Sequence, residues 1–335
     1  MESVAGSRSG APLASSRTAP SEVQPSVELS VVVPMRDEAL NIPHFFERLM
    51  PVLERLGITY EIICVDDGSR DRTLELLLEM RKDKPAIKVL SLSRNFGKDI
   101  ALTAGIEHAA GAALVPIDCD LQDPPELIEE LLKKWREGYD VVLATRRARL
   151  GESWMKKATA KLFYRTFGKI ADMPIPQDTG DFRLIDRRVA AALTTLPERS
   201  RFMKGLFAWL GFRQATIFYE REPRHAGSSN WNYWKLWNFA LDGMTSFSSF
   251  PLKVWSYVGL GISMLTFLYA SLLIFLRLTK GIDVPGYASL MVTVLFLGGI
   301  QLITLGIIGE YLARVYIEVK GRPLYIVRQR FGFEA

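Results

Sequence analysis

Ala112-Ala113-Leu114-Val115-Pro116-Ile117-Asp118-Cys119-Asp120-Leu121-Gln122-Asp123-Pro124-Pro125 is the stretch whose reading decides the fold. A short apolar run that ends in two carboxylates one residue apart reads as a buried strand delivering Asp118 and Asp120 to a sheet edge. Strand side chains alternate, so the two acids point the same way if the extended conformation persists. An oxygen-rich pair of this kind suits Mg²⁺ or Mn²⁺, which complete their shells with water and a substrate phosphate. The plainer reading is a solvated turn, with Asp123 as N-cap of the next helix and Pro124 at its first position. That accounts for Asp123 and leaves the two acids at the strand exit unexplained.

Upstream and downstream of this run, strand and helix patterns alternate from residue 28 to 145. Apolar runs at 30–34, 60–65, 87–92 and 141–144 read as buried strands, and the segments between them carry helical spacing, as in Ile42, Phe45, Phe46, Leu49 and Leu53. The pattern predicts helices over 41–56, 71–80, 98–109 and 125–137. Strands and helices alternating at this spacing imply an α/β domain with a mostly parallel sheet. Ligands bind such sheets at the C-terminal strand ends, where Asp66-Asp67-Gly68-Ser69, Ser93-Arg94-Asn95 and Asp118–Asp123 all fall. The carboxylates of the Asp66-Asp67 turn suit a base or ribose. No Gly-x-Gly-x-x-Gly follows the first strand, which disfavours a dinucleotide dehydrogenase.

The chain has 335 residues and a net charge of +5, from 42 basic and 37 acidic side chains, a balance that argues against a dedicated nucleic-acid binder. The positive excess concentrates in Arg146, Arg147, Arg149, Lys156, Lys157, Lys161 and Arg165, and again in Arg314, Lys320, Arg322, Arg328 and Arg330. Such clusters suit a membrane surface or an anionic substrate, the alternative for any single lysine being a solvated helix face. Cys64 and Cys119 lie in apolar runs without metal-ligand spacing and read as buried thiols in a reducing compartment. Residues 1–26 are rich in Ser, Ala and Pro with no apolar core, and read as a disordered tail.

Composition changes near Pro251. Val254–Phe275 and Val284–Gly309 contain no charged residue, and each exceeds the roughly 20 residues a helix needs to cross a bilayer. The expectation is a hairpin of two spans, about 254–277 and 285–309, within 251–313. Lys253 and a basic tail over 314–335 place both ends on the cytosolic side with the α/β domain, while Arg277 and Lys280 snorkel. Before the first span, Trp231, Trp234, Trp237, Leu241 and Met244 mark one side of a helix over 230–250. Lying in the headgroup layer and packing on the domain weigh nearly equally, and adjacency to the first span tips the expectation to an interfacial amphipathic helix. Gly298, Gly299 and Gly306 let helices approach closely, and a homo-oligomer is expected.

In order along the chain, VVVPMRDEALNI (31–42), DDGSRDRT (66–73), SRNFGKD (93–99), DCDLQDPP (118–125), QDTGDFRL (177–184) and RFMKGLFAWLGF (201–212) resemble the inverting family-2 glycosyltransferases. More narrowly, the chain is similar to the polyprenyl-phosphate glycosyltransferases, which include dolichyl-phosphate mannose synthases and bactoprenol glucosyltransferases. The resemblance covers about residues 28–330. It implies a GT-A (Rossmann-like) catalytic domain over 27–229, a nucleotide-sugar donor and a polyprenyl phosphate acceptor. It further implies a multi-pass protein of the bacterial inner membrane with its catalytic domain in the cytosol.

Carried over by position, the resemblance puts the metal on Asp118, Asp120 and Gln122. The nucleotide sugar falls on Pro34, Glu38, Asp67, Arg94, Lys98 and Asp118, and the lipid phosphate on Arg146, Lys156, Lys157 and Arg224. Asp120, Asp178 and Arg146 are the expected catalytic set. The chain departs from the family where Asp37-Glu38-Ala39 replaces Asn-Glu-Glu, and where Gly227-Ser228-Ser229-Asn230 replaces Gly-Lys-Ser-Lys. A phosphate acceptor is already a competent nucleophile near neutral pH, so the burden falls on joining two anions and stabilising the departing diphosphate. UDP-glucose is the first choice of donor, with UDP-N-acetylglucosamine, UDP-aminoarabinose types and GDP-mannose open. A processive synthase is disfavoured because no Gln-x-x-Arg-Trp is present. A non-catalytic nucleotide-sugar-binding module is disfavoured by the intact acidic pair.

Overall fold

The structure, a computed structural model, describes residues 27–146, 179–199, 201, 203–220, 250–280 and 286–333. The expectations for the N-terminal tail, Lys156, Lys157, Asp178, Arg224 and the 230–250 helix lie outside the described residues. The first half runs β1 (Leu29–Met35), α1 (Ile42–Leu56), β2 (Tyr60–Asp66), α2 (Thr73–Asp83), β3 (Ile87–Leu92), α3 (Lys98–His108) and β4 (Ala113–Pro116). A 3₁₀ turn, Pro125–Leu127, leads into α4 (Ile128–Arg136) and β5 (Val141–Arg146). Then follow β6 (Thr179–Asp186), α5 (Arg187–Thr195), α6 (Met203–Trp209) and β7 (Gln214–Tyr219). Two long helices, α7 (Phe250–Lys280) and α8 (Tyr287–Lys320), precede β8 (Val327–Phe331).

The eight strands form one sheet in the order β7-β5-β6-β4-β1-β2-β3-β8. The pairs β1–β2, β1–β4, β2–β3 and β5–β7 are parallel; β6 runs antiparallel to β4 and β5, and β8 antiparallel to β3. Alternation along the strands feeds two cores. Val31, Val33, Ile62 and Cys64 pack under α1 and α4 with Phe45, Phe46, Leu131 and Leu132. Val32, Ile63, Val65 and Leu90 pack on the opposite face with α3, α5 and α6, through Leu102, Val189, Leu193 and Phe207. Both cysteines are buried free thiols.

Two boundaries differ from the sequence pattern. The helix after the acidic run begins with Pro124 at its N-cap position and no side-chain cap, so Asp123 does not cap it. Asp123 instead turns inward, where the Tyr219 hydroxyl donates to it. The 314–335 segment is not a free tail. Helix α8 continues to Lys320 and stops at the left-handed Gly321; the chain then returns to the sheet as β8, with Val89 opposite Phe331 and Leu92 opposite Val327. Extended β-forming residues at 327–331 satisfy the free edge of β3, a non-local pairing that basic composition concealed.

Helices α7 and α8 contain the stretches Tyr257–Leu276 and Ser289–Lys320, whose most apolar 18 residues have mean hydropathy 2.1 and 2.2 and are not buried within the protein. By length and composition both can cross a bilayer.

Candidate active site

A cavity of about 810 Å³ opens at the C-terminal ends of β1, β2 and β4. Seven of the residues singled out from the sequence line it: Pro34, Glu38, Asp67, Lys98, Asp118, Asp120 and Arg146. Arg94 lies instead on a neighbouring cleft of about 290 Å³, which shares Arg36 and Asn95 with the cavity. The Arg94 guanidinium stacks on Phe96 at 4.3 Å from the ring centre. Gln122 is not among the lining residues; its backbone N–H donates to Asp120 Oδ1 at 3.1 Å.

The acidic pair is oriented differently from the expectation. Strand β4 ends at Pro116, so Asp118 and Asp120 sit beyond it, in a turn where Leu121 takes φ 58°. A left-handed leucine is strained by about 1–3 kcal/mol, a cost found where surrounding structure imposes a functional turn. Strand alternation therefore does not aim these two acids; the turn does. Asp120 is buried, its carboxylate engaged by the turn.

Asp118 meets Lys98, the first residue of α3, with Nζ to Oδ2 at 2.7 Å. Lys98 Nζ also lies 2.7 Å from Asp181 Oδ2. Asp181 arrives through β6: counting back along this antiparallel strand from the Leu114–Ile185 pair places it level with Asp118. Burial pushes the Asp118 carboxyl up, Lys98 opposes this, and Asp181 and Asp120 add to it. Burial works to lower the Lys98 ammonium, but Asp118 and Asp181 outweigh it and hold the amine above its ordinary range. Lys98 thus stays charged.

Arg146 closes the other side. Its Nε donates to the Tyr219 hydroxyl at 3.3 Å, and Nη2 stands 3.8 Å from Asp123. Tyr219 is pushed up to about 12, first by burial and then by Asp123, so it remains a hydroxyl that donates to Asp123. Gly180 makes room for this guanidinium, since a Cβ there would stand 3.1 Å from Arg146 Nη2. Buried Arg183 fixes the same strand. It donates to the Gly180 carbonyl at 2.7 Å, stacks 4.4 Å over Phe207, and is lowered to about 10 by burial.

Asp67 is buried and holds a loop in place. Its two carboxylate oxygens accept from the Phe96 and Gly97 amides at 2.7 and 2.9 Å. Burial nonetheless raises its pKa, with those two amides opposing. Beside it, Gly68 takes φ 67° and approaches the Arg94–Asn95 backbone so closely that a Cβ would stand 2.6 Å from Arg94 C. Glu38 accepts from Asn41 Nδ2 at 2.6 Å, while Asp37 accepts from the Arg70 amide at 2.7 Å and serves the turn.

Sequence reasoning missed Asp181 and Arg201, both of which line the cavity. Asp181 stands in the quoted 177–184 motif, and the register of β6 is the signal that finds it; Asp178, to which the resemblance points, lies outside the described residues. Arg201 donates to the Leu193 and Leu196 carbonyls at 3.2 and 2.9 Å, tying the cavity wall to the end of α5.

Among the described residues, six carboxylates and four basic side chains line the cavity, an acidic balance. Among the described residues no three acidic, histidine or cysteine side chains converge as a metal cage. Asp118 and Asp120 are the oxygen donors that a hard divalent cation would take, with ligand oxygens and water left to complete its shell. Residues 97–101, at the N-terminus of α3, also face the cavity, and amides at a helix start favour anions.

Comparison with known proteins follows the same division of the chain. Glycosyl transferase family 2 matches residues 30–194, and the GtrB C-terminal hairpin matches residues 250–315. An uncharacterised glycosyltransferase of Synechocystis is 61% identical over 309 residues, spanning 92% of this chain and 97% of that protein. A prophage-derived bactoprenol glucosyl transferase of Shigella flexneri is 46% identical over 303 residues, 90% of this chain and 98% of that one. Among solved structures, mannosyl-3-phosphoglycerate synthase from Rubrobacter xylanophilus aligns with a TM-score of 0.45 and 20% identity, over 64% of this chain and 71% of that one.

Proposed function

The chain belongs to glycosyl transferase family 2, and on that premise we propose that it transfers glucose from UDP-glucose to a polyprenyl phosphate, with inversion at the anomeric carbon. It is a membrane-associated glycosyltransferase with a GT-A-type sheet and a C-terminal apolar hairpin. The observation that carries the choice of sugar and acceptor is its 46% identity, almost end to end, with a bactoprenol glucosyl transferase.

In the proposed reaction an oxygen of the lipid phosphate attacks C1 of glucose in line with the departing group. The new C1–O bond forms as the bond from C1 to the β-phosphate oxygen breaks, and UDP leaves with that electron pair. The acceptor is ionised, so no base has to remove a proton. Asp118 and Asp120 would hold a divalent ion, Mg²⁺ or Mn²⁺, that supplies positive charge for the leaving diphosphate. Arg146, rigidly held by Tyr219 and Asp123, binds the lipid phosphate, and the loop clamped by Asp67 shapes the nucleoside end. Two anionic substrates entering a cavity whose described lining has more carboxylates than cations support the need for added positive charge.

The hairpin would hold this chemistry at the bacterial inner membrane, with the sheet in the cytosol and both ends of the chain on that side. The return of β8 to the sheet supports the shared side for the C-terminus. Reporter fusions at Ala335 and near Gly281 should score on opposite sides. The function is tested by offering purified protein and undecaprenyl phosphate a panel of UDP- and GDP-sugars and weighing the lipid product. Selective formation of hexosyl lipid from UDP-glucose is expected; preference for another donor overturns the sugar, and no lipid product with any donor overturns the reaction. Self-association through the small residues of the hairpin is part of the same proposal, checked by mass measurement in detergent.

A further inference from the structure

Lys98 is oddly placed for a structural lysine. It is the first residue of α3, where the helix dipole disfavours a cation. It nevertheless holds its ammonium 2.7 Å from Asp118 and 2.7 Å from Asp181, two carboxylates carried in by the turn after β4 and by β6. Asp118 with Asp120 is also the pair proposed to hold a divalent ion. A metal on Asp118 would place like charge beside the ammonium, and like charges at this range strongly disfavour one another.

We propose that Lys98 is an exchangeable internal cation: its ammonium bridges Asp118 and Asp181 in the free protein, yields Asp118 to the divalent ion, and moves to the donor diphosphate. The inference rests on reading the cavity as the nucleotide-sugar site, and it assigns Lys98 two successive partners, Asp118 and then the donor. The physical case is economy of charge. Without Lys98, Asp118 and Asp181 would lose the ammonium that stands 2.7 Å from each of them. With Lys98 fixed permanently on Asp118 Oδ2, a metal would be left one oxygen of that carboxylate and a like charge beside it. A flexible four-carbon stem ending in a point charge serves both states, and the start of α3, where backbone amides favour an anion, faces the same cavity. The cost is that Lys98 competes with the metal until nucleotide arrives, so donor and metal bind together better than the metal binds alone.

The test uses the full-length protein in detergent, without nucleotide, titrated with Mn²⁺ and read by the electron paramagnetic resonance of the free ion. Lys98→Gln should bind Mn²⁺ roughly tenfold more tightly than the unaltered protein, the scale of one neighbouring charge. Lys98→Arg should restore the weaker binding. Unchanged or weaker Mn²⁺ binding by Lys98→Gln overturns the exchange, because a merely structural lysine leaves a damaged site that binds metal less well. A second measurement needs no substitution: amine labelling of Lys98, quantified by peptide mass. Mn²⁺ alone should speed labelling by releasing the ammonium, and added UDP should slow it again; labelling indifferent to Mn²⁺ overturns the proposal. If Mn²⁺ behaves as expected while UDP-glucose gives no product, the exchange stands and the donor assignment falls. If UDP-glucose is turned over without the Mn²⁺ effects, the donor assignment stands and the exchange falls.

Discussion

In the sheet, Val32, Ile63 and Leu90 are fully buried; in the hairpin, Phe267, Leu268 and Leu272 stand 71%, 56% and 52% exposed. The two regions use the same residue types for opposite ends. Burying such a side chain is worth about 1.5–3 kcal/mol, and the sheet collects that within the protein. The hairpin leaves it uncollected within one chain, so its stabilisation has to come from lipid or from a second hairpin. Polar groups divide in the same way, since the acids and arginines of the cavity are fixed by sheet, turn and loop. Chemistry and internal stability belong to the sheet, while the hairpin contributes location.

The sharpest way to break this division is Asp120→Asn. Turnover should fall by at least about a hundred- to a thousandfold, the scale of losing one preorganised charge-stabilising element. Melting temperature and membrane attachment should not move, because Asn still accepts from the Gln122 amide. Near-normal turnover with a chelator present would remove the metal from the site.

Next in size is a paired truncation. Phe46→Ala, in the core beneath the sheet, should cost about 3–5 kcal/mol in unfolding. Leu268→Ala, on the exposed surface of α7, should stay within about 0.5 kcal/mol in detergent. Equal losses by chemical denaturation would show that the hairpin has a protein-facing core after all.

Arg146→Ala should raise the apparent KM for the lipid acceptor by about ten- to a hundredfold, as expected for a lost charged hydrogen bond. KM for the nucleotide sugar should change little. A loss confined to the donor would move Arg146 to the diphosphate. The smallest expected effect is from Gly180→Ala, whose methyl would press on the Arg146 guanidinium. A several-fold rise in acceptor KM, equivalent to about 1 kcal/mol, with unaltered donor KM, would place that glycine in service of Arg146.

Much of this molecule is readable without its structure. Residues 30–34 and 87–92 announce strands by their β-branched apolar runs, and Ile42, Phe45, Phe46, Leu49 and Leu53 announce α1 by spacing; these residues of α1 are buried as expected. Local periodicity and the uncharged length of two segments are properties of neighbouring residues, so composition alone exposes them. The motifs also tell where seven lining side chains gather, because a parallel sheet presents its C-terminal ends together. What the sequence could not decide was every relation set by non-local pairing. Asp181 rather than a residue fixed by spacing stands beside Asp118 because β6 enters antiparallel in one register. Asp123 abandons a cap for Tyr219 and Arg146 because β7 lies beside β5. The basic C-terminal stretch becomes β8 because β3 offers an open edge. Each of these depends on which strand lies next to which, and hydrogen-bond pairing between distant segments leaves no period in the chain from which to read it.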